Sequence, residues 1–154
     1  AFQEIQKLAL LFPAGQPSFE QVKDAVMDVA RYDIFKLSEA MLNGNAVRFV
    51  RILDGLRAEG TATTLVLWAI GEDIRTLGKV LQAVQRGGNF GNALRDLRVR
   101  RDKQGLIENA ARRLKFPHIE RALLQAARLD KTIKGLRPGD VWDELLQLGL
   151  RFAK

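Results

Sequence analysis

Apolar residues recur every three or four positions along almost the whole of this 154-residue chain. No alternating pattern lasts long enough to make a strand, and this is the feature that most limits the fold. A stripe with that spacing occupies one side of a helix and must be covered by other helices. The stripes are broken at intervals by helix start and stop signals.

A first helix is expected over Phe2–Phe12, closed by Pro13-Ala14-Gly15. Ser18 with Gln21 has capping-box spacing, in which each side chain satisfies the other residue's free N–H. Phe19, Val22, Val26 and Val29 form the stripe that follows. Asp33 is the expected N-cap of a separate helix Ile34–Leu42, ended by Asn43-Gly44, two residues that tolerate left-handed backbone. Asn45 caps the next, with Phe49, Val50, Leu53 and Leu56 inward and Gly60 at its end.

A long helix is predicted over Thr61–Gln85, its buried face marked by Val66, Ile70, Ile74, Leu77, Leu81 and Val84. Gly71 and Gly78 inside it each cost about 1 kcal/mol relative to alanine and invite close approach of another helix. After the break at Gly87, Gly88 and Gly91 the pattern resumes through Leu94 and Leu97, then Leu106, Ala110 and Leu114. Phe116-Pro117 starts a helix carrying Ile119, Leu123, Ala126 and Ile133 and stopping at Gly135; Asp140 opens the last, which buries Val141, Trp142, Leu145 and Leu148. About eight helices with short connections make an all-α helical bundle.

Hydrophobic residues make up 47% of the chain, enough for one sizeable core. The absence of cysteine excludes disulfides, thiolate metal sites and cysteine nucleophiles, and points to a reducing cytoplasm. The uncharged run between Glu59 and Glu72 is twelve residues long, too short to span a bilayer, so no membrane partner is expected. The chain starts without methionine and in mid-pattern, which suggests the later part of a longer protein.

Charge is segregated. Residues 1–85 are nearly balanced, whereas residues 86–137 hold fourteen Lys/Arg against five Asp/Glu, more than the whole chain's net +7. Such asymmetry points to an acidic partner, either nucleic acid or protein.

Catalytic patterns are missing. No Gly-rich phosphate loop ending in Gly-Lys-Ser/Thr exists, which argues against nucleotide hydrolysis. His118 is the only histidine, and a lone histidine is more often structural than a ligand. Glu72-Asp73 and Asp143-Glu144 are sequence neighbours, so their side chains splay about 100° apart on a helix instead of converging. No nucleophile–base pair stands out, and no catalytic, cofactor or metal site is expected.

Two groups remain as candidates. Arg98, Arg100, Arg101, Lys103, Arg112, Arg113 and Lys115 form a solvated face, a contact for an acidic patch, or a DNA phosphate contact, which needs clustered positive charge and no special motif. The preceding RGGNFGN is read as a surface loop. Leu145, Leu148, Leu150 and Phe152 are either the bundle's own core or an interface with other subunits.

EIQKLALLF at 4–12, VARYDIFKLSEAMLNGNAVRFVRILDGLRAEG at 29–60, LWAIGEDIRTLGKV at 67–80 and LDKTIKGLRPGDVWDELLQL at 129–148 together resemble the bacterial DNA polymerase III delta subunit. The match runs in order along essentially the whole chain. It includes Tyr32-Asp33-Ile34-Phe35-Lys36-Leu37 as an aromatic-Asp-x-Phe-x-Leu signature, the set Asp130, Ile133, Lys134 and Gly135, and Trp142. Where the family often has a tryptophan after the valine, Arg100 follows Val99.

The resemblance implies the C-terminal half of delta, a clamp-loader subunit within a DNA-directed DNA polymerase holoenzyme. Residues 1–31 would be the end of an AAA+-like lid, and 32–154 the helical collar that assembles with gamma/tau and delta prime. The sliding clamp would be contacted through an N-terminal domain that this chain lacks. The competing reading is an independent basic helical DNA-binding domain.

Overall fold

A computed structural model describes residues 18–153, and the expected helix over Phe2–Phe12 lies outside them. Among the described residues there are seven helices: α1 (Phe19–Leu42), α2 (Ala46–Ala58), α3 (Thr63–Gln85), α4 (Phe90–Asp96), α5 (Arg101–Arg113), α6 (Phe116–Ile133) and α7 (Val141–Leu150). The all-α bundle is as expected.

Local signals set most boundaries. Ser18 Oγ accepts from the Gln21 N–H at 3.2 Å, and Gln21 Oε1 accepts from the Ser18 N–H at 3.0 Å. Asn45, Asn89 and Asp140 cap α2, α4 and α7 by accepting from the N–H three residues on. At the end of α1, Gly44 is left-handed (φ +69°) and passes its N–H to Met41 O, while Asn45 N–H reaches Ala40 O. This paired closure satisfies carbonyls that the helix leaves open.

The expected start at Asp33 is corrected: α1 runs unbroken for 24 residues. No residue between Ser18 and Leu42 breaks a helix, so a cap-competent aspartate is simply absorbed into the interior. The expected loop RGGNFGN is likewise shorter, because Asn89 caps α4 and Phe90 is its first residue.

Helix α3 is the hub. It packs along α6 and also touches α4, α5, α1 and α7, while α2 lies between α1 and α7. Val66, Ile70, Ile74, Leu77 and Val80 on α3 are fully buried, as are Leu37 and Ala40 on α1, Ile119 and Ala122 on α6, and Leu145 and Leu148 on α7. All belong to a single core. The α3–α6 approach is close at Gly78, where an added Cβ would lie 3.6 Å from Ile119 and 3.7 Å from Leu123.

The tightest fit joins α7 to α2. Gly149 carries the edge of the Phe49 ring against its backbone, in space a Cβ would occupy. Phe49 is 1% exposed there. Only glycine leaves room for that ring.

Candidate nucleic-acid and partner surface

The basic segment is built on the α4–α5 connection. Helix α4 ends in the same paired closure as α1, with Arg98 N–H to Arg95 O and Val99 N–H to Leu94 O, both 3.0 Å. The left-handed position, usually glycine, is held by Arg98 (φ +54°), alone among non-glycine residues described. A left-handed residue with a Cβ costs on the order of 1 kcal/mol. Val99 tucks against the core and sends its neighbours Arg98 and Arg100 to solvent.

Arg100 is the uncapped N-terminal flank of α5, its guanidinium paired with Asp102 at 2.9 Å and 73% exposed. Arg101 follows as the first helical residue and is exposed. Cations at a helix N-terminus oppose its dipole, and Asp102 offsets them only in part. Local stability therefore does not explain why the arginines sit here.

The remaining four candidates differ. Lys103 turns inward: its Nζ is 2.9 Å from Asp73 Oδ1, with side chains 21% and 6% exposed, and it lies 5.8 Å from the Phe35 ring centroid. Arg112 pairs with Glu108 at 2.8 Å and lies over the Phe90 ring, 4.5 Å from its centroid. Arg113 donates to Phe152 O at 2.5 Å and Leu42 O at 3.0 Å, tying the end of α5 to the end of α1 and to the C-terminal turn. Lys115, at the start of α6, is exposed. Arg98, Arg100 and Arg101 thus point outward at the start of α5, Arg112 and Lys115 are exposed at its other end, and Lys103 and Arg113 are committed to the fold.

Of the two readings open for the apolar candidates, Leu145, Leu148 and Phe152 follow the first: they are 0% exposed and fill the bundle's own core, and Leu150 alone is half-buried. Two exposed apolar side chains that the sequence did not single out are Trp68 on α3, 63% exposed, and Leu124 on α6, 59% exposed. Their neighbours in sequence follow the helical stripe, and these two fall just off it.

His118 Nε2 donates to Arg151 O at 2.5 Å, and its ring meets Phe152 edge-on. It holds the C-terminal turn. Sequence reasoning also missed a groove of about 310 Å³ between α6 and α7, edged by arginines. Its one early signal was the seven-residue spacing of Arg121 and Arg128 on the polar side of α6. Within it Arg137 bonds Glu144 and Thr132, and the Arg137 guanidinium holds the Glu144 carboxyl below the usual range despite partial burial.

Residues 31–141 match the family described as DNA polymerase III delta subunit, C-terminal domain. The chain belongs to that family. It is 30% identical over 149 residues to the DNA polymerase III subunit delta of Escherichia coli, covering 96% of this chain and 43% of that protein. To the same subunit of Haemophilus influenzae it is 24% identical over 159 residues, covering 98% of this chain and 46% of the relative. The chain therefore spans about half the length of the curated delta subunits it matches. The fold is shared with the Bacillus subtilis DNA clamp loader delta protein, at a TM-score of 0.61 and 22% identity over 97% of this chain and 44% of that one.

The delta match begins at residue 31, in the middle of α1, so the boundary expected at 31/32 falls inside one continuous helix. Among the described residues no helix is long and apolar enough to cross a membrane.

Proposed function

We propose that this chain is the collar part of a clamp-loader delta subunit, a module that holds the loader together while it places a sliding clamp on DNA. The observation that carries the reading is the match to the delta C-terminal family over residues 31–141, extended by the E. coli relative across 96% of the chain. In this reading residues 1–31 are the end of an AAA+-like lid, and the clamp is engaged through an N-terminal domain. The collar's partners are gamma/tau and delta prime, in a bacterial cytoplasm. Apolar surface for those partners is available at Trp68 and Leu124, not at the buried leucines of α7.

The role proposed for Arg98, Arg100, Arg101 and Lys115 is contact with DNA phosphates or with an acidic patch in the assembled loader. The exposure of all four and the closeness of the three arginines in sequence support it, as does the unfavourable placement of two of them at a helix N-terminus. The test is binding of the chain to the purified ATPase subunit of the same loader by calorimetry, with primed DNA in a parallel arm. Assembly is expected to survive Arg98/Arg100/Arg101→Ala, while the salt dependence of DNA binding becomes shallower by roughly one phosphate contact for each arginine lost from a phosphate. Absence of assembly, combined with tight salt-sensitive DNA binding by the chain alone, would replace this reading with that of an independent DNA-binding domain.

A further inference from the structure

The α6–α7 groove offers a second charged surface, built from residues other than the α4–α5 arginines. Arg121 and Arg128 stand two turns apart on α6, about 10.5 Å along its axis. Leu124 lies between them, 59% exposed. From the other side Arg137 and Arg151 complete the rim. Arg137 is neutralised by Glu144, and Arg151 is steadied by a hydrogen bond to neutral Gln125. Among the described residues Arg121 and Arg128 have no carboxylate partner. Three guanidinium charges are thus left without a counter-charge around one apolar side chain.

We propose that this groove docks an acidic, amphipathic helical segment of a neighbouring subunit. Such a helix can present two carboxylates seven residues apart, matching the Arg121–Arg128 spacing, with an apolar residue between them to cover Leu124. Guanidinium forks suit carboxylates and give bidentate geometry. A phosphodiester strand fits less well, since its charge is continuous and would also face Leu124, whereas a helix can place an apolar residue there. The inference rests on the proposed assembly with loader subunits but uses none of the residues assigned to DNA.

The experiment places a photoreactive benzoylphenylalanine at Leu124 in the full-length delta chain, reconstituted with its loader subunits and primed DNA. Assembly is followed by size exclusion in the same samples. The expected result is a cross-link to a segment of another subunit that carries at least two Asp/Glu flanking an apolar residue. Its yield should fall at least fivefold in Arg121→Ser/Arg128→Ser, with helicity by circular dichroism unchanged. Cross-links only to DNA, cross-links only between two copies of the chain, an intact assembly with no cross-link, or a yield indifferent to the double substitution would each overturn the groove assignment. Failure of the parent chain to assemble would overturn the collar reading as well, and size exclusion separates the two.

Discussion

Replacing Gly149 with alanine would insert one methyl group where the Phe49 ring already lies. The new Cβ would sit 1.9 Å from Cζ and 2.2 Å from Cε1 of that ring. Carbon atoms in contact prefer about 3.5 Å or more, so ring and helix would have to separate by roughly 1.6 Å. Phe49 is 1% exposed and has no free volume to retreat into, which places the overpacking cost near the upper end of its usual range, about 3 kcal/mol. Alanine's better helix propensity returns about 1 kcal/mol.

The net expectation is a loss of about 2 kcal/mol, or roughly 4–8 °C in melting temperature for a chain of this size. Thermal and urea unfolding followed by circular dichroism measure it. Gly78→Ala is the internal control: its Cβ would lie at ordinary contact distance, 3.6 Å from Ile119, so the same chemical change should stabilise by about 1 kcal/mol. Phe49→Leu combined with Gly149→Ala should show a coupling energy above about 1 kcal/mol, because the smaller side chain relieves the clash. A Gly149→Ala chain that melts at or above the parent would refute the claim that this glycine is kept for the ring.

Other expectations concern charge and backbone. Lys103→Met strands the buried Asp73 carboxylate and should cost about 3 kcal/mol, whereas Lys103→Met with Asp73→Leu should return within about 1 kcal/mol of the parent; equal losses in a denaturant series would show that the pair is not a unit. Arg113→Lys cannot reproduce the two-nitrogen bridge to Leu42 O and Phe152 O, and should lose about 1–2 kcal/mol by the same assay, where a solvated arginine would lose none. Arg98→Gly should stabilise by about 1 kcal/mol by relieving the left-handed backbone, while weakening any DNA contact in a fluorescence titration. Glu144, with its pKa lowered chiefly by the Arg137 hydrogen bond, gives stability that is full above the ordinary glutamate range, near 4.5, and fades as pH falls through the depressed value. Glu144→Gln should therefore flatten the acid limb of a stability–pH curve, and an unchanged limb would assign it to other carboxylates.

The all-α class and most helix ends are legible in the order of the residues alone. Capping by Ser18 with Gln21, Asn45 and Asp140, and the turn at Gly44, depend on groups three to five residues apart, so composition and spacing suffice to place them. The α3 stripe was legible for the same reason: one face of one helix repeats in the chain. The family was legible too, because its motifs keep their order.

The packing of distant segments, not any local pattern, sets which basic residues face outward. Lys103 meets Asp73 across 30 residues, and Arg113 meets carbonyls 39 and 71 residues away, contacts that no local pattern announces. It also decided that Leu145, Leu148 and Phe152 are core rather than interface, since an apolar stripe reads the same whether its own chain or another covers it. The Arg121–Arg128 groove exists because α7 packs beside α6 and brings Arg137 and Arg151 to the opposite rim. Periodicity fixes which side of a helix is buried, but what lies against that side is set by the packing of distant segments into a single core.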